Sequence, residues 1–250
     1  MKNFEQIEVK PQLSGKSNPR IGIVVLSTDL TIEKDYKRIC YNLPVDIFVN
    51  RIPFKNPCTH ENYLKMIDLL PSIVKEILPG QKINTIAYGC TSGTIAIGKD
   101  IIEAQIHKSK PDVYVTTPIT SAIKAFKKLK INKIAVLAPY PKLVNKTVFD
   151  YINNKYIEID SFTSFNLDSD SDIAKVDPKN LINTIKDINH SNVDAIFVSC
   201  TAIRILEVLQ YIEDLIKKPV ISSNQAMIWD SLRSVKIKTG VEGFGKLLLN

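Results

Sequence analysis

The sequence predicts an α/β fold, with parallel sheets and crossover helices arranged as two similar halves around a shared cleft. Three observations predict it. Short apolar runs alternate with amphipathic helical patterns along the chain, the signature of repeated β-α-β units. Residues 83–92 read as strand, glycine, Cys-Thr, helix, and residues 195–202 repeat this as strand, serine, Cys-Thr, helix. The 250 residues, 44% hydrophobic and 24% charged, suffice for one large domain or two small ones with real cores.

The first strand is expected over 21–26, apolar apart from Gly22, and the second over 45–49. A helical pattern covers 61–78, where Pro71 should split or kink it. Residues 83–88 form the third strand, and Gly89-Cys90-Thr91-Ser92-Gly93 turns into a helix running to about His107. The fourth strand, 113–116, ends at Thr117-Pro118 and precedes a helix over 121–130. A second series follows: strand 134–138, helix 142–153, extended segment 156–162, polar loop 164–172 and helix 178–189. It closes with strand 195–199, a long amphipathic helix over 202–217, strand 220–222 and a helix over 226–235, entered through Ser223-Asn224-Gln225.

The net charge of +7 suits an anionic substrate better than a nucleic acid, because the lysines are dispersed. In the densest group, Lys124, Lys127 and Lys128 sit at helical spacing beside Ala122, Ile123, Ala125 and Phe126, which reads as a solvated helix face. No stretch approaches the roughly 18 apolar residues of a membrane span. Residues 1–19 mix both charge signs without a signal-peptide core, so a flexible arm on a cytoplasmic protein is expected. Four cysteines in a chain this long make no disulfide scaffold, and without a Cys-x-x-Cys or a Cys/His cluster no metal site is expected.

Cys90 and Cys200 each fall where a strand ends and a helix is expected to start, the edge at which parallel sheets bind ligands. Helix N-termini favour the thiolate and lower its pKa from ~8.5. Thr91, Ser92 and Thr201 add hydroxyls and N–H groups suited to a carboxylate. A single Cys-Thr dipeptide is more simply a small buried pair; two copies in the same context make a reactive pair an equal contender. Cys40, in a helical pattern, and Cys58, in a proline-rich loop, are assigned no role. Ser121-Ala-Ile-Lys124 matches an acyl-transfer signature whose other parts are missing. Gly240, Gly243 and Gly245 follow no strand, which excludes a dinucleotide fingerprint. Asp29 and Glu33 read either as helix-capping acids or as site residues.

The run Ala87-Tyr-Gly-Cys-Thr-Ser-Gly-Thr94, with Val198-Ser-Cys-Thr-Ala-Ile-Arg204, resembles the maleate cis-trans isomerase and arylmalonate decarboxylase branch of the aspartate/glutamate racemase superfamily. Further matches at Leu26-Ser-Thr-Asp-Leu-Thr31, Thr116-Thr-Pro-Ile-Thr120, Ala138-Pro-Tyr140 and Ser222-Ser-Asn-Gln-Ala226 extend it from about Arg20 to the C-terminus. The nearest likeness is to the EutA proteins of ectoine utilisation. The resemblance implies two Rossmann-like domains related by a pseudo-twofold axis, an active site in the cleft between them, and neither metal nor organic cofactor. It implies Cys90 as nucleophile or first base and Cys200 as the second acid/base. Thr91, Ser92 and Thr201 would hold a substrate carboxylate, and Tyr140 would donate to a developing enediolate.

Two departures from maleate isomerases bear on substrate. Asp29, and by expectation Asp170, stand where those enzymes carry asparagine. A carboxylate there would repel the second carboxylate of maleate and welcome an ammonium group. The expectation is racemisation or epimerisation at the Cα of an amino-acid-like substrate, with an ectoine-derived diaminobutyrate as a candidate. Maleate isomerisation by cysteine addition, arylmalonate-type decarboxylation and non-catalytic binding of a small acid are the alternatives. Arylmalonate decarboxylases carry glycine in place of the first cysteine, which weighs against decarboxylation here. The expected domains are 1–118 with 222–250, and 119–221. The expected partner is a small-molecule carboxylate, with no nucleic acid and no membrane, and a homo-oligomer is left open.

Overall fold

The computed structural model describes residues 5–15 and 17–250. Its first half runs β1 (Arg20–Leu26), α1 (Ile32–Cys40), β2 (Asp46–Ile52), α2 (His60–Leu64), α3 (Leu70–Lys75), β3 (Thr85–Gly89), α4 (Thr91–Ile97), α5 (Lys99–His107), β4 (Tyr114–Thr116) and α6 (Pro118–Leu129). The second runs β5 (Lys133–Ala138), α7 (Lys142–Asn153), β6 (Glu158–Ser164), α8 (Asp170–Ile173), α9 (Pro178–Ile188), β7 (Ala195–Val198), α10 (Leu209–Ile216), β8 (Val220–Ser222) and α11 (Ser223–Ser234).

The strands form two parallel sheets of four, ordered β2-β1-β3-β4 and β6-β5-β7-β8. The same order therefore occurs twice. In each sheet the chain leaves the two central strands in opposite directions, which opens a crevice at their carboxyl ends. Alternation along β1 divides the apolar interior. Val24 and Leu26 face a core shared with α2, α3 and α5. Ile21, Ile23 and Val25 face a larger core that continues through α6 and α11 into the second sheet. α11, from the C-terminal segment, packs on β3 and β4, while α6 packs on β8.

On α6, Ile119, Ala122 and Phe126 are buried and Lys127 and Lys128 exposed, as the spacing predicts. Lys124 departs from that solvated face. Its Nζ lies 2.8 Å from Asp230 on α11, whose carboxylate also accepts from Thr116 Oγ1 at 2.6 Å and Ser121 Oγ at 3.1 Å. The Ser-x-x-Lys pair thus locks α6 and β4 to α11.

Three expected helices and one expected loop differ. The pattern over 61–78 resolves into α2 and α3, separated by turns. The helix after Cys90 breaks at Gly98, whose φ of 93° ends α4 before α5 begins. The polar loop contains α8, capped by Ser169. The helix expected from residue 202 is absent at its start: a short 3₁₀ turn (Ile205–Glu207) precedes α10. There the carbonyl oxygens that a helix would use are taken, Thr201 O by Asn224 Nδ2 and Ala202 O by Thr31 Oγ1, each at 2.8 Å. Residues 5–15 are exposed and carry no regular structure; residues 1–4 and 16 of the expected arm lie outside the described residues. No helix among the described residues is long and apolar enough to cross a membrane.

Candidate active site

Four strand ends bring the candidate residues together. β1 leads into Thr28 and Asp29, β3 into Cys90, β5 into Tyr140 and β7 into Cys200, all beside the crevices of the two sheets. Cys90 is the N-cap of α4, and its Sγ accepts from Gly93 N at 3.2 Å. Gly93 is required there, since a Cβ would lie 2.8 Å from that sulfur. Thr91 Oγ1 donates to Ser223 Oγ at 2.9 Å, and Ser92 Oγ lies 2.7 Å from the Tyr63 hydroxyl.

Cys200 does not cap a helix, contrary to expectation. Its φ is 131°, its N–H donates to Ser223 Oγ at 3.0 Å, and its Sγ accepts from Ala202 N at 3.4 Å. The Tyr140 hydroxyl lies near enough to the thiol for each to shift the other electrostatically.

The expected lowering of the two thiol pKa values is reversed. Burial pushes Cys90 and Cys200 up, and the nearby Asp170 carboxylate adds to the rise in both. The N–H groups of Gly93 and Ala202 oppose the shift but are outweighed. Both side chains are only 4% exposed, so loss of solvation exceeds what one or two backbone donors return. Both shifts favour the protonated thiol.

Asp29 combines the two readings made of it. Its Oδ1 accepts from Thr31 N at 2.7 Å and Ile32 N at 2.9 Å, securing the start of α1. Its Oδ2 is buried without a hydrogen-bond partner, with the Thr201 hydroxyl beside the carboxylate. Burial pushes its pKa up. Asp170, at the first position of α8, accepts from Thr28 Oγ1 across the cleft. Burial pushes its carboxyl from 3.8 up to about 6, opposed by the Thr28 bond and reinforced by Asp29. Two solvent-poor carboxylates and two thiols thus share one site.

A cleft of about 280 Å³ opens beside this cluster. Cys58, Tyr63 and Ser92 line it from the first half, and Pro141, Val144 and Asp168 from the second. The halves touch here, with Cys58 N donating to Asp168 O at 3.3 Å. Cys90 and Cys200 do not line this cleft, but Ser92, two residues after Cys90, does.

The pattern of the arylmalonate decarboxylase family matches residues 60–248. The chain belongs to that family. It is 24% identical to the maleate isomerase of Alcaligenes faecalis over 247 residues, covering 92% of this chain and 96% of that one. The crystal structure of the maleate isomerase Iso from Pseudomonas putida superposes with a TM-score of 0.84 at 24% identity, covering 93% and 98% of the two chains. A cysteine-to-serine mutant of the Nocardia farcinica maleate cis-trans isomerase, carrying a covalently bound succinylcysteine intermediate, superposes with a TM-score of 0.85 at 18% identity, covering 93% and 98%.

Within this family fold, sequence reasoning missed several residues at the site. Cys58 is buried there, with its thiol pushed up to about 12, and it interacts electrostatically with Cys90 and Cys200. Tyr63 and Thr28 bond to Ser92 and Asp170, and Ser223 and Asn224 bond to the cysteine-bearing turns. A proline-rich loop and a serine pair at a strand end carry no local signal of such proximity. Cys40, at the end of α1, is buried in the large core.

Proposed function

We propose that the protein is a cofactor-independent isomerase in which Cys90 and Cys200 act on a small carboxylate bearing a cationic amino group. The reaction is racemisation or epimerisation at Cα. The observation that carries this reading is the placement of one buried carboxylate, Asp170, near both thiols, with a second, Asp29, near Asp170. A buried anion needs a counter-charge to offset its desolvation. Among the described residues no lysine or arginine side chain forms an ion pair with either carboxylate; Arg51, bonded to the Asp29 carbonyl, favours ionised Asp29 but is outweighed by burial, and an ammonium group on the substrate would supply the remaining charge.

The same placement supplies activation. Asp170 raises both thiols while it is ionised and unpaired. An ammonium beside it cancels that field and makes thiolate formation easier when substrate is bound. Thr91, Ser92 and Thr201 would hold the substrate carboxylate. One cysteine takes the α-proton, the other delivers a proton to the opposite face, and Tyr140 donates to the enediolate. Such acid–base help is worth roughly 10²–10⁴-fold. An ectoine-derived diaminobutyrate is one substrate of this class, and a reducing cytoplasm would keep the thiols active.

The second reading is maleate cis-trans isomerisation by addition of Cys90 to the alkene, favoured by the curated relatives named as maleate isomerases. It requires Asp29 and Asp170 to be neutral so that they donate to the second carboxylate, and burial pushes both in that direction. Proton NMR in D₂O with maleate, amino acids and N-acetylated diamino acids separates the two. Exchange of an α-proton, lost in Cys90→Ser and Cys200→Ser, supports Cα deprotonation. Fumarate from maleate, rising as pH falls toward 6, supports the second reading and overturns the first. Silence across the panel overturns both.

A further inference from the structure

The N-terminus of α11 reaches both cysteine-bearing turns. Ser223 Oγ accepts from Cys200 N at 3.0 Å and from Thr91 Oγ1 at 2.9 Å, so one hydroxyl joins a turn of the first sheet to a turn of the second. Asn224 spends both Nδ2 hydrogens next to it, on Thr201 O at 2.8 Å and on Asp35 Oδ2 at 2.7 Å. Both side chains are sealed from solvent. Neither is needed to cap the helix, because Ser222 and Gln225 already form a reciprocal capping box.

Cys200 needs such support. A φ of 131° is a conformation that residues with a Cβ rarely adopt, and it persists only where surrounding bonds over-determine it. Here the bonds are the Cys200 N–H to Ser223, the Thr201 carbonyl to Asn224, and the Ala202 carbonyl to Thr31. Two of the three end on α11.

We propose that Ser223 and Asn224 are positioning residues: together they clamp the Cys200 turn in its positive-φ form and set its placement relative to Cys90. The proposal rests on the two-cysteine reading of the site. Asp35 anchors the clamp from α1, so the turn is tied to three elements distant in sequence. Loss of Ser223 leaves two buried donors, Cys200 N–H and Thr91 Oγ1–H, without an acceptor.

The test is site-resolved alkylation with iodoacetamide, read by mass spectrometry, on wild type, Ser223→Ala and Asn224→Ala. Cys40, buried in the large core, reports general loosening in the same sample. The expected result is a rise of at least about fivefold in the Cys200 rate with the Cys40 rate unchanged, accompanied by a fall of about tenfold or more in kcat and little change in KM. An unchanged Cys200 rate, or Cys200 and Cys40 accelerating together in both variants, overturns the clamp. So does a faster Cys200 with undiminished kcat. If wild type turns over nothing on the NMR panel, the functional reading fails, while the alkylation ratio still decides the clamp by itself.

Discussion

Replacing Asp170 by asparagine exchanges a buried carboxyl for a neutral amide of similar shape. In the folded chain that carboxyl titrates near 6, against an ordinary value of 3.8. The native state therefore holds the proton more tightly than the unfolded chain does. The ionisation penalty is absent well below pH 3.8, grows as pH rises through the window from 3.8 to about 6, and is complete above it. The displacement corresponds to roughly 3 kcal/mol, of which about half is already present at pH 5. The amide oxygen of asparagine can still accept from Thr28 Oγ1, so the contact across the cleft is kept. Urea unfolding at pH 5 and pH 8 measures the effect. Asp170→Asn should stabilise the protein at pH 8 by about 2–3 kcal/mol, and by clearly less at pH 5. An equal effect at the two pH values, or a loss of stability at pH 8, would refute the assignment of an ionised, unpaired carboxylate to this position. Under the proposed function the same variant should lose selectivity for amines, read as the ratio of kcat/KM between amino-acid substrates and maleate.

Other perturbations test other parts of the structure. Gly93→Ala places a Cβ against the Cys90 sulfur and should lower kcat by about 10–100-fold while the denaturation midpoint changes little; unchanged kcat would show that the thiol position is not critical. Cys200→Gly should be more stable than Cys200→Ala by about 1 kcal/mol in urea, because glycine alone is free of strain at a φ of 131°. Asp230→Ala strands Thr116, Ser121 and Lys124 and should cost about 3 kcal/mol, whereas Lys124→Ala, which removes a half-exposed partner, should cost about 1 kcal/mol. The reverse order in calorimetry would mean that the ion pair, rather than the buried hydroxyl bonds, carries that junction.

The two readings of Asp29 illustrate how far local pattern reaches. An acid just after a strand and before an apolar helix is a capping signal, and the Oδ1 contacts bear that out. That its second oxygen is buried and unpartnered is a fact of the assembled cleft, invisible to spacing. Cys58 makes the opposite case. Its loop offers no periodicity and so no local sign of a role, yet the approach of that loop to Asp168 carries it into the site. The helix expected after Cys200 failed for a similar reason. Its sequence is amphipathic and helical in propensity, but tertiary partners had taken the carbonyls of its first turn.

The order of the strands, the parallel class of the sheets, the two Cys-Thr dipeptides at strand ends and the exposure of Lys127 and Lys128 on α6 were legible in the sequence alone. They depend on periodicity and on backbone preferences that act over a few residues. The strained turn at Cys200, the raised thiols, the neutral-leaning carboxylates and the contacts of Ser223, Asn224 and Cys58 were decided only by the tertiary structure. Each depends on how much water is excluded and on which distant groups arrive, and both are set when the sheets and helices close on one another.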